Sequence, residues 1–261
     1  MNEHAPLRIG FVGVGAIAAA VAEAILRRVD GAEALLSPRS AQRSAALARD
    51  FPGARVAADN RAVVDGSDVV FVAVLPDQVE AVCGALAFRD DQVVVGLSAG
   101  WPPSRLGPLV APAATVCQVI PLPMIALGVG PVVVHPSVPA VERLLAPSGT
   151  IVVAESEDDL GALSCASAVM STFFAFERTA VDWAAAQGIG RAQAAGYVTA
   201  LMQGLATEAM TLAPDALGDA VTSHETPGGL NEHVRSSLER DGCFDALARH
   251  LDHILAARIR R

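Results

Sequence analysis

The chain has 261 residues, a formal net charge of −9 and 19 basic residues, every one of them arginine. An acidic chain with no basic stripe sets aside nucleic acid and an anionic membrane surface as partners. The lack of lysine rules out a Schiff base, a lysine general acid and a phosphate-binding lysine.

In chain order, Arg8–Val12 is an apolar run followed by a helical segment, Ile17–Val29. Glu33–Leu36 is a second run, followed by the helical Ala41–Asp50. Further runs stand at Arg55–Ala57, Asp68–Val74, Gln92–Gly96, Thr115–Val119, Val132–His135 and Thr150–Ala154. Runs that are apolar throughout, rather than alternating, predict parallel strands buried on both faces. Strand–helix repetition predicts right-handed crossovers and a Rossmann-type, doubly wound parallel sheet over residues 1–154. From residue 155 to 261 the texture is helical: Asp158–Gln187 as one long helix, then Arg191–Leu212, Ala216–Val221, Gly229–Asp241 and Phe244–Arg260. The apolar stretch Val116–Val134 is interrupted by three prolines and Gln118, which predicts strand, loop and strand rather than a membrane span. Four scattered cysteines share no metal-like spacing, and no histidine cluster suggests zinc. With no signal-peptide pattern in the first residues, a cytoplasmic protein without a metal is expected.

Gly13-Val14-Gly15-Ala16-Ile17-Ala18 fits G-x-G-x-x-A directly between an apolar run and a helix. Gly13 permits the tight turn and Gly15 lets the backbone approach a pyrophosphate. Ala16 and Ile17 open the helix whose amides face the phosphates, and small Ala18 lets helix and strand pack closely. A plain structural turn is the other possibility. About 20 residues on, where an NAD site carries an acidic group for the ribose, stands Ser37-Pro38-Arg39-Ser40. Arg39 between the hydroxyls of Ser37 and Ser40 suits a 2′-phosphate, which favours NADP. A solvated loop is the alternative. Val74, Leu75 and Pro76 after the fourth run, and Ser98, Ala99 and Gly100 after the fifth, lie where such sheets line the cofactor. In the helical half, Ser223-His224-Glu225-Thr226-Pro227-Gly228-Gly229-Leu230-Asn231 precedes a helix whose first amides would be open to an anion, unless it is a simple interhelical turn.

This order of motifs resembles pyrroline-5-carboxylate reductase, the last enzyme of proline biosynthesis, over essentially the whole chain. The matching points are Ile9–Ala18, Ser37–Ser40, Asp68–Pro76, Ser98–Gly100 and Val221–Glu239, the last similar to the family's V-T-S-P-G-G-T-T helix start. The resemblance implies a Rossmann domain joined to a helical dimerisation domain, a homodimer, NADPH, and reduction of a C=N bond in a cyclic imine. The 223–231 turn, taken as the substrate end of such a layout, offers Ser223, Glu225, Thr226 and Asn231 as the catalytic candidates, with Pro227, Gly228, Gly229 and Leu230 as substrate-binding residues. The departures fall where substrate or nicotinamide should lie, while the dinucleotide motif is kept. The family's V-K-P is Val74-Leu75-Pro76, and its R-x-M-P-N-T-P is Gln118–Met124 with arginine and asparagine gone. Its G-S-G-P-A-Y is replaced by Met170–Ala175. His224-Glu225-Thr226 is inserted before Pro-Gly-Gly, and two threonines whose hydroxyls help hold the substrate carboxylate in the family become Leu230-Asn231. A divergent paralogue with an altered substrate is expected. Imine reduction needs little beyond positioning and the cofactor's chemistry. An imine reductase or dehydrogenase-like protein acting on an unrelated substrate, and a non-catalytic NADP-binding regulator, remain as alternatives.

Overall fold

The computed structural model describes residues 7–259, so Arg260, expected to end the last helix, lies outside the described residues. Two compact units divide near Leu163 and Ser164.

The first unit is an eight-stranded sheet: β1 (Arg8–Val12), β2 (Glu33–Leu36), β3 (Ala54–Val56), β4 (Val69–Val72), β5 (Val93–Gly96), β6 (Thr115–Pro121), β7 (Pro131–His135) and β8 (Thr150–Val153). Their order is β3-β2-β1-β4-β5-β6-β7-β8. The chain therefore winds outward from β1 to β3 and crosses back to start again at β4, which makes the β1/β4 boundary the topological switch point. The helices are α1 (Ala16–Arg28), α2 (Ala41–Asp50), α3 (Asn60–Asp65), α4 (Val79–Cys83), α5 (Pro103–Leu106) and α6 (Pro139–Leu145). Separate apolar clusters form around Ile9, Phe11 and Ile25 and around Val12, Val70 and Phe88, as a sheet buried on both faces requires. Phe11 and Phe71, in register on β1 and β4, stack with ring centroids 4.8 Å apart.

The Rossmann-type fold holds, with one departure from an all-parallel sheet: β7 runs antiparallel to β6, and β8 is parallel to β7. The cause is the link. Residues 122–130 are too few for a parallel crossover, which takes a dozen or more residues, so the chain turns back as a hairpin-like return. The α6 segment then provides a true crossover to β8.

Burial raises the thiol of Cys83 to a pKa of about 11 and that of Cys117 to about 12. Cys165 is also buried, and Cys243 alone of the four is exposed. Because the thiolate is the reactive species, a disulfide reagent at neutral pH is expected to modify Cys243 quickly and the others only on unfolding. Equal rates for Cys117 and Cys243 in the native protein would contradict this packing.

The second unit is helical: the end of α7 (Glu157–Ala166), then α8 (Val169–Ala186), α9 (Arg191–Ala209), α10 (Leu217–Ser223), α11 (Leu230–Arg240) and α12 (Cys243–Ile259). The single helix expected over Asp158–Gln187 is broken at Ser167-Ala168. The Ser167 hydroxyl donates to the Ser164 carbonyl at 2.7 Å, and the amides of Ala168 and Met170 bond three residues back. Such local hydroxyl bonds compete with the helix ladder. Residues 157–186 are, by length and hydropathy, apolar enough to cross a membrane, and few of them are buried. Yet α8 alone carries Glu177, Arg178 and Asp182 within its 18 residues. Among the described residues, its apolar side chains pack on a small buried cluster of Val181, Ala194 and Val198.

Candidate cofactor and substrate sites

The glycine turn lies at the C-terminal end of β1, at the switch point. Gly13 has φ +90, a conformation L side chains rarely adopt, and a Cβ there would stand 2.8 Å from the Ala73 carbonyl oxygen. Gly15 is different: nothing lies within 4 Å of the place its Cβ would take. Gly15 is the N-cap of α1, with no side-chain cap and no acidic residue in the first turn. The first intrahelical bond is donated by Ala19, which leaves the amides before it without helix partners. Open space in front of uncapped amides at the positive end of a helix fits a dinucleotide pyrophosphate. Ala16 is exposed, Ile17 half-buried, and Ala18 buried against the sheet as close packing requires.

At the end of β2 the expected trio divides. Ser37 is fully buried. Its Oγ accepts from the Gly13 amide at 2.9 Å, its carbonyl accepts from the Ser44 hydroxyl at 2.8 Å, and its own amide donates to Phe11. It braces the glycine turn against α2 and has no surface to offer a phosphate. Arg39 is exposed, with Nη1 donating to Gln78 Oε1 at 3.1 Å across the ends of β2 and β4. Ser40 is the uncapped N-cap of α2. It opens a depression of about 530 Å³ lined with Ala41, Gln42, Arg43 and Ala46. Arg43, which reads in the sequence as a solvated helical position, also lines it. Only the turn of α2 brings its guanidinium to the same depression as Ser40.

The loops after β4 and β5 are tied together. Ser98 Oγ donates to the Val74 carbonyl at 2.6 Å, and Gln118, buried on β6, donates from Nε2 to the Ser98 carbonyl at 3.0 Å. Trp101 Nε1 donates to the Pro76 carbonyl at 2.8 Å. Arg105 lies over the Trp101 ring at 3.9 Å and donates to the Gly100 carbonyl. Ser98 is thus a buried brace. Leu75, Pro76, Ala99 and Gly100 stay exposed, and Val74 is half-buried. Sequence signals for Trp101 and Gln118 as braces were absent, since each acts through a carbonyl distant in sequence.

In the second unit, the 223–231 turn satisfies most of its own polar groups. The Ser223 hydroxyl donates back to Ala220 at 2.9 Å, and Asn231 Nδ2 donates to the His224 carbonyl at 2.7 Å. The Glu225 carboxylate is paired. Both its oxygens accept from Arg235, whose Nη1 also donates to Glu239 at 2.7 Å. The hydrogen bonds that Arg235 donates to Glu225 hold its pKa above the ordinary value. Pro227 and Gly228 are exposed, Gly229 caps α11, and Leu230 at 87% exposure projects from its first residue. Thr226 is exposed, and its hydroxyl has no hydrogen-bond partner among the described residues. Among the described residues no group of histidine, cysteine and carboxylate could hold a metal ion.

Residues 8–100 match the family model of NADP oxidoreductases, coenzyme F420-dependent, and residues 157–259 match that of pyrroline-5-carboxylate reductase dimerisation. A pyrroline-5-carboxylate reductase of Pseudomonas aeruginosa is 27% identical over 253 residues, covering 92% of this chain and 91% of its own. The solved structure of 1-pyrroline-5-carboxylate reductase from Streptococcus pyogenes superposes with a TM-score of 0.82 at 20% identity, covering 97% and 98% of the two chains. That of Plasmodium falciparum pyrroline carboxylate reductase with NADP bound gives 0.81 at 16% identity, covering 97% of each.

Proposed function

We propose, from the premise that this chain belongs to the pyrroline-5-carboxylate reductase family, that it is an NADPH-dependent oxidoreductase that reduces the C=N bond of a cyclic imine. The observation that carries this is the uncapped start of α1, with open space before Gly15, on the same chain as the family's helical segment. NADPH, when bound, supplies the hydride. The amides of Gly15, Ala16 and Ile17 receive the pyrophosphate, Arg39, Ser40 and Arg43 the 2′-phosphate, and Leu75, Pro76, Ala99 and Gly100 line the nicotinamide. Ser37 and Ser98 hold these surfaces in place and make no direct contact.

A protonated imine needs no further proton at the moment of reduction. The electron pair of its π bond comes to rest on nitrogen as the new C–H bond forms, giving the amine and oxidised cofactor. The protein's share is orientation and exclusion of water. In the 223–231 turn, Thr226 is the hydroxyl free to orient the imine. Ser223 and Asn231 shape the turn from behind, Pro227 to Leu230 form its rim, and Glu225 anchors it to α11 through Arg235. With no lysine in the chain, proton transfer by a lysine is excluded.

The test is NADPH oxidation with full-length protein against 1-pyrroline, 2-methyl-1-pyrroline, 1-pyrroline-5-carboxylate and 3,4-dihydroisoquinoline. Turnover of at least one is expected. NADPH binding without oxidation on any imine would replace this function by that of a non-catalytic NADP-binding regulator.

The helical unit is a homodimerisation module in this proposal, and four free thiols support residence in the reducing cytoplasm. Trp183 on α8 is 67% exposed, Tyr197 on α9 72%, and Met210 81%. Large apolar side chains exposed in such number mark a surface meant for a partner. Light scattering is expected to give a dimer at micromolar concentration and a monomer for Trp183→Arg. A wild-type monomer would sink this part of the proposal.

A further inference from the structure

We infer that Gln118 is a positioning residue for hydride transfer: acting through Ser98, it fixes the backbone of the loop after β5 and so the nicotinamide ring that the loop lines. This rests on the assignment of Leu75, Pro76, Ala99 and Gly100 to the nicotinamide, made above, and deepens it by naming the group that holds that surface in place.

Gln118 lies in the middle of β6, opposite Gly96 on β5 and His135 on β7, and is only 3% exposed. A side-chain amide so deeply buried needs a partner for its polar atoms. Its Nε2 donates to the Ser98 carbonyl at 3.0 Å, two residues past the end of β5. Ser98, itself buried, passes the hold on: its Oγ donates to the Val74 carbonyl at 2.6 Å, two residues past the end of β4. Both acceptors are main-chain carbonyls, so these bonds fix backbone rather than side chains. Leu75, Ala99 and Gly100 carry no hydrogen-bonding side chain of their own. Their placement therefore depends on this series, which ties the exits of β4 and β5 to the rigid middle of β6.

The fold does not need the Gln118 amide. Without it the Ser98 carbonyl still accepts from the Trp101 amide at 3.3 Å, and β5 and β6 remain paired through their main chains. What the amide adds is the exact place of the loop. Hydride transfer is sensitive to that place, because the reacting atoms must approach to about 3–3.5 Å and a misplacement of about 1 Å can cost a hundredfold in rate. The amide is also neutral, so it holds the loop without bringing charge next to a ring that turns cationic as the hydride leaves.

The experiment compares full-length wild type, Gln118→Met and Gln118→Glu in NADPH oxidation with 2-methyl-1-pyrroline, with binding sites counted by fluorescence titration of NADPH. Methionine keeps the length and burial of the side chain and removes the donor. In Gln118→Met, kcat per NADPH-binding site is expected to fall about tenfold or more, while KM for the imine and Kd for NADPH move by less than about threefold. Loss of folded protein alone would leave kcat per site untouched, and an unchanged kcat per site overturns the inference. Glutamate adds a pH signature. Its protonated carboxyl can donate to the Ser98 carbonyl and its carboxylate cannot, and burial raises the pKa of such a group. The kcat of Gln118→Glu relative to wild type should therefore be highest at low pH and fall as pH rises. A ratio independent of pH overturns the inference, and decides it alone should Gln118→Met fail to fold. If no form reduces an imine, the catalytic reading falls and the hold on the loop is decided separately. Amide hydrogen exchange over residues 97–101, with NADPH bound, should then be about fivefold or more faster in Gln118→Met than in wild type, with β4 unchanged. Equal exchange would overturn it.

Discussion

Replacing Gly13 by alanine is expected to abolish measurable NADPH binding and to lower the melting temperature of the protein. The added Cβ would stand 2.8 Å from the Ala73 carbonyl oxygen and 2.9 Å from its carbon, which are backbone atoms at the exit of β4 and cannot swing aside. The φ of +90 adds strain of about 1–3 kcal/mol for a residue with a side chain. Relief by shifting the turn would break the Gly13–Ser37 hydrogen bond and, with it, the brace between the turn and α2. An affinity loss of about a hundredfold or more, ~2.7 kcal/mol, is expected in a fluorescence titration with NADPH. Gly15→Ala is the matched control. Its Cβ would meet nothing within 4 Å, so stability should be nearly unchanged while the methyl group intrudes on the space before the α1 amides and weakens NADPH. If the two substitutions behaved alike in both melting temperature and affinity, the division of labour between a turn-forming and a ligand-facing glycine would be wrong.

The second large effect concerns cofactor choice. Wild type is expected to prefer NADPH to NADH, and Arg39→Asp combined with Arg43→Ala to lose or invert that preference. Each charge-assisted contact to the 2′-phosphate is worth ~1.5–3 kcal/mol, roughly tenfold to a hundredfold in affinity. The aspartate also supplies the acceptor that an NAD ribose wants. Arg39 alone is partly engaged by Gln78, so Gln78→Ala should leave the preference intact or raise it. Isothermal titration with both cofactors checks this. Equal affinity of wild type for NADH and NADPH would show that the α2 depression does not receive the phosphate.

Most strands were legible in the sequence because they are mainly apolar runs, with β3, where Arg55 and Val56 are exposed, the weakest of them, and the six sheet positions from β1 to β6 follow from the alternation with helices. Short helices were not. The α3, α4, α5 and α6 segments are at most two turns long, too short to show a period of 3.6, and α5 and α6 begin at proline-rich sequence that reads as loop. The antiparallel return of β7 was implicit in the length of the 122–130 link, but apolarity alone does not tell strand direction. At the cofactor site, the glycine spacing identified the turn because its chemistry is local. Ser37 and Ser98 show where local reasoning stops. Both sit at the expected positions, yet burial makes them supports whose hydroxyls serve the protein itself. The helical turn is the sharpest case. Nothing in the sequence assigns Glu225 a partner, and only the fold brings Arg235, ten residues on, to neutralise it.

This chain is expected to deliver a hydride from NADPH to the carbon of a C=N bond. The most direct measurement uses NADPH deuterated at one or the other face of C4, with 2-methyl-1-pyrroline as acceptor and mass spectrometry of the amine. The amine is expected to carry deuterium at the former imine carbon from one labelled cofactor and not from the other, because a single bound orientation exposes one face. An amine formed without label from either cofactor, or with equal label from both, would contradict the account.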